Sequence, residues 1–416
     1  MTQFLDNVRS ARIAIDGLFE PTPLQENPYL SRKYNARIFL KREDLTPVRS
    51  YKLRGAFNFI RKALENGSNN AVFTCASAGN HAQGFAYACR FFGRKGVVFM
   101  PVTTPQQKID KTRMFGGEFV EIRLVGDYFD ACYRASQQFA ADSGAHMVPP
   151  FDHEDIIEGQ ATVGLEVIDQ IESEPDLVIL PVGGGGLAAG ITRILREKGW
   201  KSEILFVEPV GAPSLKSSLA KGEVTRLTSV DTFVDGASVA EIGRTNFSHL
   251  QQFSEGHVQL VPENRICSTI LEMLNVEGVV LEPAGAMSID ALKDVPREKI
   301  DGKTVLCVVS GGNFDFERLP EVKERAMRFE GQKKYFIFRF PQRPGMLREF
   351  LDMLGPDDDV ARFEYLKKTA RNFGSVLIGI ETTNAANFSA LIAKFDESGL
   401  QYQDITNDET ISGLII

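Results

Sequence analysis

Apolar positions follow two periods along this chain. Short continuous runs at 36–40, 71–74, 96–100, 177–180, 204–207 and 304–309 read as buried strands, while 56–64, 82–92 and a run ending at Phe115 carry the i, i+3, i+4 spacing of helices. Strands alternating with helices predict βαβ units on parallel sheets, here two open α/β units with ligands expected at the carboxyl ends of the strands. A charged, helix-favouring stretch at 317–331 suits a connector. Beyond it the pattern predicts a strand at 335–340, a helix at 344–354, strands at 361–366 and 375–381, a helix at 387–397 and a strand at 401–405. That βαββαβ order describes a compact α+β module. The expected division is a body over 1–318, a connector over 319–332 and the module over 333–416.

Four strand-to-helix junctions carry candidate chemistry. Ser50-Tyr51-Lys52-Leu53-Arg54-Gly55-Ala56 opens a helix, which places Lys52 near a helix N-terminus. There the dipole and any burial disfavour the ammonium and release a fraction of neutral amine, as a Schiff-base lysine requires. A solvated lysine at a helix start would look the same in isolation. Ser77-Ala78-Gly79-Asn80-His81 follows the strand at 71–74 and offers backbone N–H groups and an amide. Gly183-Gly184-Gly185-Gly186-Leu187 follows the strand at 177–180, where four glycines let the backbone wrap an anion. No Gly-Lys-Ser/Thr follows, which excludes a Walker loop, and the spacing is not that of a dinucleotide fingerprint. Ser310-Gly311-Gly312-Asn313, after the strand at 304–309, is by itself an ordinary turn. Taken together, the four describe a pocket for a phosphorylated ring aldehyde.

Composition narrows the remaining classes. The 416 residues carry a formal charge of -8, which speaks against a nucleic-acid partner held through its backbone. The five cysteines are odd in number and widely spaced, so they predict buried free thiols and neither a disulfide framework nor a zinc cluster. No apolar run approaches a bilayer span, no membrane partner is expected, and the start lacks a basic region followed by an apolar core; the cytoplasm is the expected compartment.

The four motifs, in this order, resemble the fold-type II pyridoxal phosphate enzymes, which share the tryptophan synthase β-like fold, and among them the threonine dehydratase family. The resemblance covers nearly all of residues 15–416. Its last module is similar to the ACT-like regulatory domain of the biosynthetic members in their single-module form. It implies pyridoxal 5'-phosphate as cofactor and Lys52 as the lysine that carries it and removes the substrate Cα proton. It implies Asn80 on the ring hydroxyl, the N–H groups of Gly183, Gly184, Gly185, Gly186 and Leu187 on the phosphate, and Ser310 at the pyridine nitrogen. Ser77, Ala78, Gly79, Asn80 and His81 would receive the substrate carboxylate. The activity implied is deamination of L-threonine to 2-oxobutanoate and ammonia, the first step of isoleucine biosynthesis. Isoleucine and valine are the implied effectors, and a homo-oligomer, tetramer or dimer, the implied assembly.

The same residues admit other readings. The same pocket serves serine-directed dehydratases and β-replacement enzymes, and a non-catalytic amino-acid sensor is conceivable, although a sensor has no use for a Schiff-base lysine. Glu282 matches a family segment near the ring, yet a glutamate before proline is also common at strand ends. His153 reads as part of a solvated turn, and the His81 ring as packed locally. Glu208 and Ala212 match two of three cation ligands of related enzymes, but Ser214 stands where the third is acidic, so no metal is expected. Ala78 replaces the serine that racemases of this fold carry, so racemisation is not expected.

Overall fold

The computed structural model describes residues 2–67, 71–366 and 372–408. It divides into two compact units, Met1–Phe314 and Asp315–Ile416. The first holds two sheets. The larger has six strands in the order Leu24–Glu26, Arg37–Arg42, Thr304–Val309, Leu177–Pro181, Glu203–Pro209, Val258–Val261. All neighbours pair in parallel except Leu24–Glu26, which adds antiparallel at one edge. The smaller runs Val120–Leu124, Gly96–Met100, Phe73–Ala76, His146–Met147, all parallel.

Leu177–Pro181, Gly96–Met100 and Phe73–Ala76 are buried at every residue, as expected of central strands covered on both faces, and this is why they read as continuous apolar runs. Each of the four motif loops leaves the carboxyl end of a parallel strand. Ser77 follows Phe73–Ala76, Gly183 follows Leu177–Pro181, Ser310 follows Thr304–Val309, and Lys52 follows Arg37–Arg42 after a 3-10 turn at Glu43–Leu45. The five cysteines are free and buried.

The second unit is a four-stranded antiparallel sheet in the order Asp358–Leu366, Phe373–Thr382, Lys333–Pro341, Gln401–Asp404, with helices Met346–Leu351 and Asn387–Glu397. Its core is aromatic: Phe336, Phe338, Phe350 and Phe395 are fully buried, and Phe338 meets Phe395 edge to face at 5.0 Å. The first of these helices is shorter than the pattern at 344–354 predicts, because Gly345 takes a left-handed φ of 89° as its N-cap and holds Pro344 outside. The expected connector is itself helical over Leu319–Phe329, buries Val322 and Ala326, and belongs to this second unit.

Candidate active site

Lys52 is the first residue of the helix Lys52–Glu65, whose N-cap, Tyr51, provides no side-chain hydrogen bond. The open N-terminus therefore keeps its positive end beside the amine. Lys52 Nζ donates to the Pro150 carbonyl at 2.8 Å and lies 5.3 Å from the Tyr51 ring and 5.7 Å from the Phe151 ring. Burial pulls its pKa down from 10.5 to about 8, with Glu282 opposing. The lysine is partly buried and held by a protein carbonyl, and a share of neutral amine is present near pH 7.

The lysine loop is sewn to the Ser310 loop by backbone bonds. Ser50 bridges Gly311, Tyr51 N–H donates to the Ser310 carbonyl at 3.2 Å, and Gly312 N–H donates to the Arg49 carbonyl at 2.9 Å. Arg49 adopts a left-handed φ of 59°, a conformation that non-glycine residues seldom take and that the seam holds in place. Ser310 is 4% exposed, and its hydroxyl has no protein partner among the described residues. Asn313 Nδ2 donates to the Val48 carbonyl and to Asn80 Oδ1, both at 2.7 Å, and Asn80 Nδ2 donates to Glu282 Oε1 at 2.7 Å. A Cβ on Gly311 would lie 2.2 Å from Glu282 Oε1, so any side chain there would displace the Glu282 carboxyl from its place beside Asn80. Burial first, then Asp235, pushes the Glu282 carboxyl up to about 7, with the Asn80 bond opposing.

The tetraglycine loop opens the helix Gly186–Glu197 with no side-chain cap, and Gly185 takes a φ of 90°. Among the described residues the N–H groups of Gly184, Gly185, Gly186 and Leu187 find no acceptor. Side chains could not be added: a Cβ on Gly183 would meet the Ala237 backbone at 2.8 Å, and one on Gly184 the Phe151 ring at 2.2 Å. The Phe151 ring thus spans from the cradle to the lysine. Asn246 Nδ2 fixes the loop by donating to the Gly184 carbonyl at 2.6 Å. Orphan N–H donors, a partly buried amine of lowered pKa, an amide and an unpartnered hydroxyl fit the phosphate, aldehyde and ring of pyridoxal phosphate.

Ser77 Oγ accepts from Gly79 N–H at 3.2 Å, and Asn80 begins the helix Asn80–Phe91, again without a side-chain cap. The first turn at Asn80 and His81, like the start of the helix Gly186–Glu197, leaves backbone N–H groups without a side-chain cap. The His81 ring is buried, with Nε2 3.0 Å from the Val148 carbonyl. Burial, reinforced by Lys52, lowers its pKa to about 3 and keeps it neutral. His153, half-exposed, caps the helix Glu154–Gln170 by accepting from Asp155 N–H. Glu208 is fully buried and accepts from Leu215 N–H at 2.7 Å, Lys216 N–H at 2.9 Å and Ser214 Oγ at 3.2 Å; it closes a helix N-terminus. No group of three or more His, Cys, Asp or Glu able to hold a metal occurs among the described residues.

Pro150, Phe151, Asn246 and the Asp235-Gly236-Ala237 turn escaped the sequence reading. They sit in irregular segments or on another helix, and tertiary packing alone brings them to the motifs; no local pattern marks them.

Residues 15–311 match the family described as pyridoxal-phosphate dependent enzyme. The chain belongs to that family, and pyridoxal phosphate is its cofactor. Residues 324–415 match the C-terminal regulatory domain of threonine dehydratase. The chain is 45% identical over 396 residues to the biosynthetic L-threonine dehydratase of Halalkalibacterium halodurans, covering 95% of each chain, and 44% identical to that of Bacillus subtilis, covering 95% and 93%. Within the cofactor class it is therefore a member of the biosynthetic threonine dehydratase family. Among solved structures it is similar to the processed form of threonine deaminase isoform 2 from Solanum lycopersicum, with a TM-score of 0.72 and 34% identity over 78% of this chain and 92% of that one. It is also similar to serine racemase from Dictyostelium discoideum, with a TM-score of 0.68 and 27% identity over 75% and 99%.

Proposed function

We propose that this chain deaminates L-threonine to 2-oxobutanoate and ammonia, the first step of isoleucine biosynthesis, with Lys52 as the residue that carries the cofactor and serves as base. The observation that carries this reading is the partly buried Lys52 amine, lowered to about 8, placed one phenylalanine ring away from a loop of glycine N–H groups that have no protein acceptor among the described residues. The cofactor, when bound, supplies the electron sink for the pair left when the Cα–H bond breaks. The protein supplies the rest. Gly183, Gly184, Gly185, Gly186 and Leu187 hold the phosphate through backbone N–H groups, and Asn80, its amide fixed by Glu282 and Asn313, faces the ring hydroxyl. Ser310 presents a neutral hydroxyl to the ring nitrogen. Because it carries no charge to hold a proton there, it favours departure of the β-hydroxyl over transamination. The helix start at Asn80, with Ser77, Ala78, Gly79 and His81, receives the substrate carboxylate through N–H groups. Lys52 Nζ then takes the Cα proton.

Residues 1–318 form the catalytic domain in this reading, 319–332 the connector and 333–416 the regulatory domain, which answers to isoleucine with valine opposing, in a homo-oligomer of the cytoplasm. Among the described residues no helix is long and apolar enough to cross a membrane. The test is turnover of threonine and of serine, each with and without an added thiol, beside the absorbance of purified protein. Threonine turnover and a long-wavelength band, both lost in Lys52→Ala with a rate drop of at least about 10³-fold, are expected. Faster serine turnover, or a thiol adduct as main product, would replace threonine dehydration with the corresponding relative.

A further inference from the structure

Two residues beyond Lys52, Arg54 is wholly buried and makes charge-assisted bonds that the chemistry above does not use. Its Nε and Nη2 donate to Glu43 at 2.7 and 2.8 Å, and its Nη1 and Nη2 donate to Glu166 at 2.6 and 3.0 Å. Thr162 and Thr22 accept further bonds at 3.1 and 3.3 Å. Lys41 Nζ joins the same Glu166 at 2.5 Å, the Thr22 carbonyl at 2.7 Å and Gln170 at 2.9 Å, and Arg12 approaches Glu166 from the rim at 3.3 Å. Against its burial, Arg54 and Lys41 hold Glu166 down to about 2, so both carboxylate oxygens are ionised acceptors.

Such a cluster is weak evidence for stability, since apolar side chains of the same volume would hold the elements together as well. Its special property is geometry. A guanidinium gripped bidentately by two carboxylates cannot slide or rotate, and apolar packing imposes no such condition. The helix Lys52–Glu65 needs a condition of that kind, because its first turn has no side-chain cap. Backbone contacts then leave no slack: a Cβ on Gly159 would meet the Arg54 carbonyl at 2.5 Å, and one on Gly84 would meet Leu53 N at 2.9 Å.

We propose that Arg54, locked between Glu43 and Glu166, is the positioning residue for Lys52: it fixes the register of the first helical turn and with it the place of the amine. The proposal rests on the reading of Lys52 as the lysine that carries the cofactor. In the holoenzyme, Arg54→Met is expected to lower kcat for threonine on the order of 10²-fold, as a displacement near 1 Å can, with KM within about threefold of the parent. The second readout is the fraction of chains in which borohydride reduction fixes the cofactor to Lys52, measured by peptide mass. That fraction falls in Arg54→Met and partly recovers in Arg54→Lys. A folded Arg54→Met protein with a lower Tm but the parent's kcat and capture overturns the proposal, as does a rise in KM at constant kcat. If Arg54→Met does not fold, Arg54→Lys and Thr162→Val carry the same two readouts, joint loss supporting the proposal and parental values overturning it. Absence of Lys52 capture in the parent itself would instead remove the reading on which the proposal rests.

Discussion

The amide of Asn80 donates to the carboxylate of Glu282 at 2.7 Å, and with Asn313 donating to its oxygen the amide can face only one way. Glu282 titrates near 7 because burial and Asp235 resist its ionisation. Below that pH it is neutral beside Asn80; above it, it carries a charge. Glu282→Gln keeps an acceptor for Asn80 but cannot ionise. The pH profiles of kcat/KM for parent and variant are therefore expected to converge below about pH 6 and separate above about pH 8. Parallel profiles across the whole range would remove Glu282 from the titration of the site.

Glu208 gives a stability counterpart away from the chemistry. Its folded pKa is raised from 4.5 to about 7, chiefly by burial. The folded state then binds more protons than the unfolded chain, so this group favours folding below pH 4.5 and loses that contribution as pH rises through 7. At full ionisation the loss is about 3 kcal/mol. In urea unfolding, the stability of Glu208→Gln relative to the parent is expected to improve steadily from pH 5 to pH 8. A constant difference would contradict the raised pKa.

Gly184→Ala tests the cradle by shape. The added Cβ falls on the Phe151 ring at 2.2 Å, so the ring must move or the loop must lift. A cost of about 1 to 3 kcal/mol is expected in unfolding midpoints. Cofactor titration should show weaker binding as well, since the displaced ring also neighbours Lys52. Binding and stability equal to the parent's would mean that the loop is not held against Phe151.

Regulation is tested on the full chain by calorimetry with isoleucine and by the threonine saturation curve with isoleucine or valine present. Isoleucine is expected to bind and to shift the curve, with valine reversing the shift, because only an effector with different affinity for two states can move a population between them. A chain ended near Glu330 should keep threonine deamination and lose the shift. If the full chain neither binds isoleucine nor changes its curve, the second unit has a structural role alone.

The buried strands were legible because they are covered on both faces. Gly96–Met100 and Thr304–Val309 fall on the residues the pattern predicts. The edge strand Val120–Leu124 interleaves Glu121 and Arg123 with its apolar residues and was missed, as was the two-residue strand His146–Met147. The antiparallel module was read in its full order because its central strands carry a core face of phenylalanine, valine or isoleucine, with Val360 and Tyr402 packed against it from the two edge strands. In the site, Lys52 and the glycines announced themselves through local composition. The bond from Asn313 to Asn80 and the Phe151 ring over Gly184 depend on chain crossings between remote segments, and the burial of Arg54 had no trace beyond its place in the motif.

The position of Thr304–Val309 sets an order of assembly. This strand lies between Arg37–Arg42 and Leu177–Pro181 and pairs with both. Until it is made, the earliest and the middle parts of the large sheet have no strand to join them, and each keeps an apolar edge open to other chains. During synthesis, then, the strand Arg37–Arg42 lacks its parallel partner until nearly the whole first unit has emerged, although the helix after it can already dock through Arg54 and Glu166. Such non-local pairing is slow to form. A chain ended before residue 304 would be expected to aggregate, with no smaller enzyme as its product.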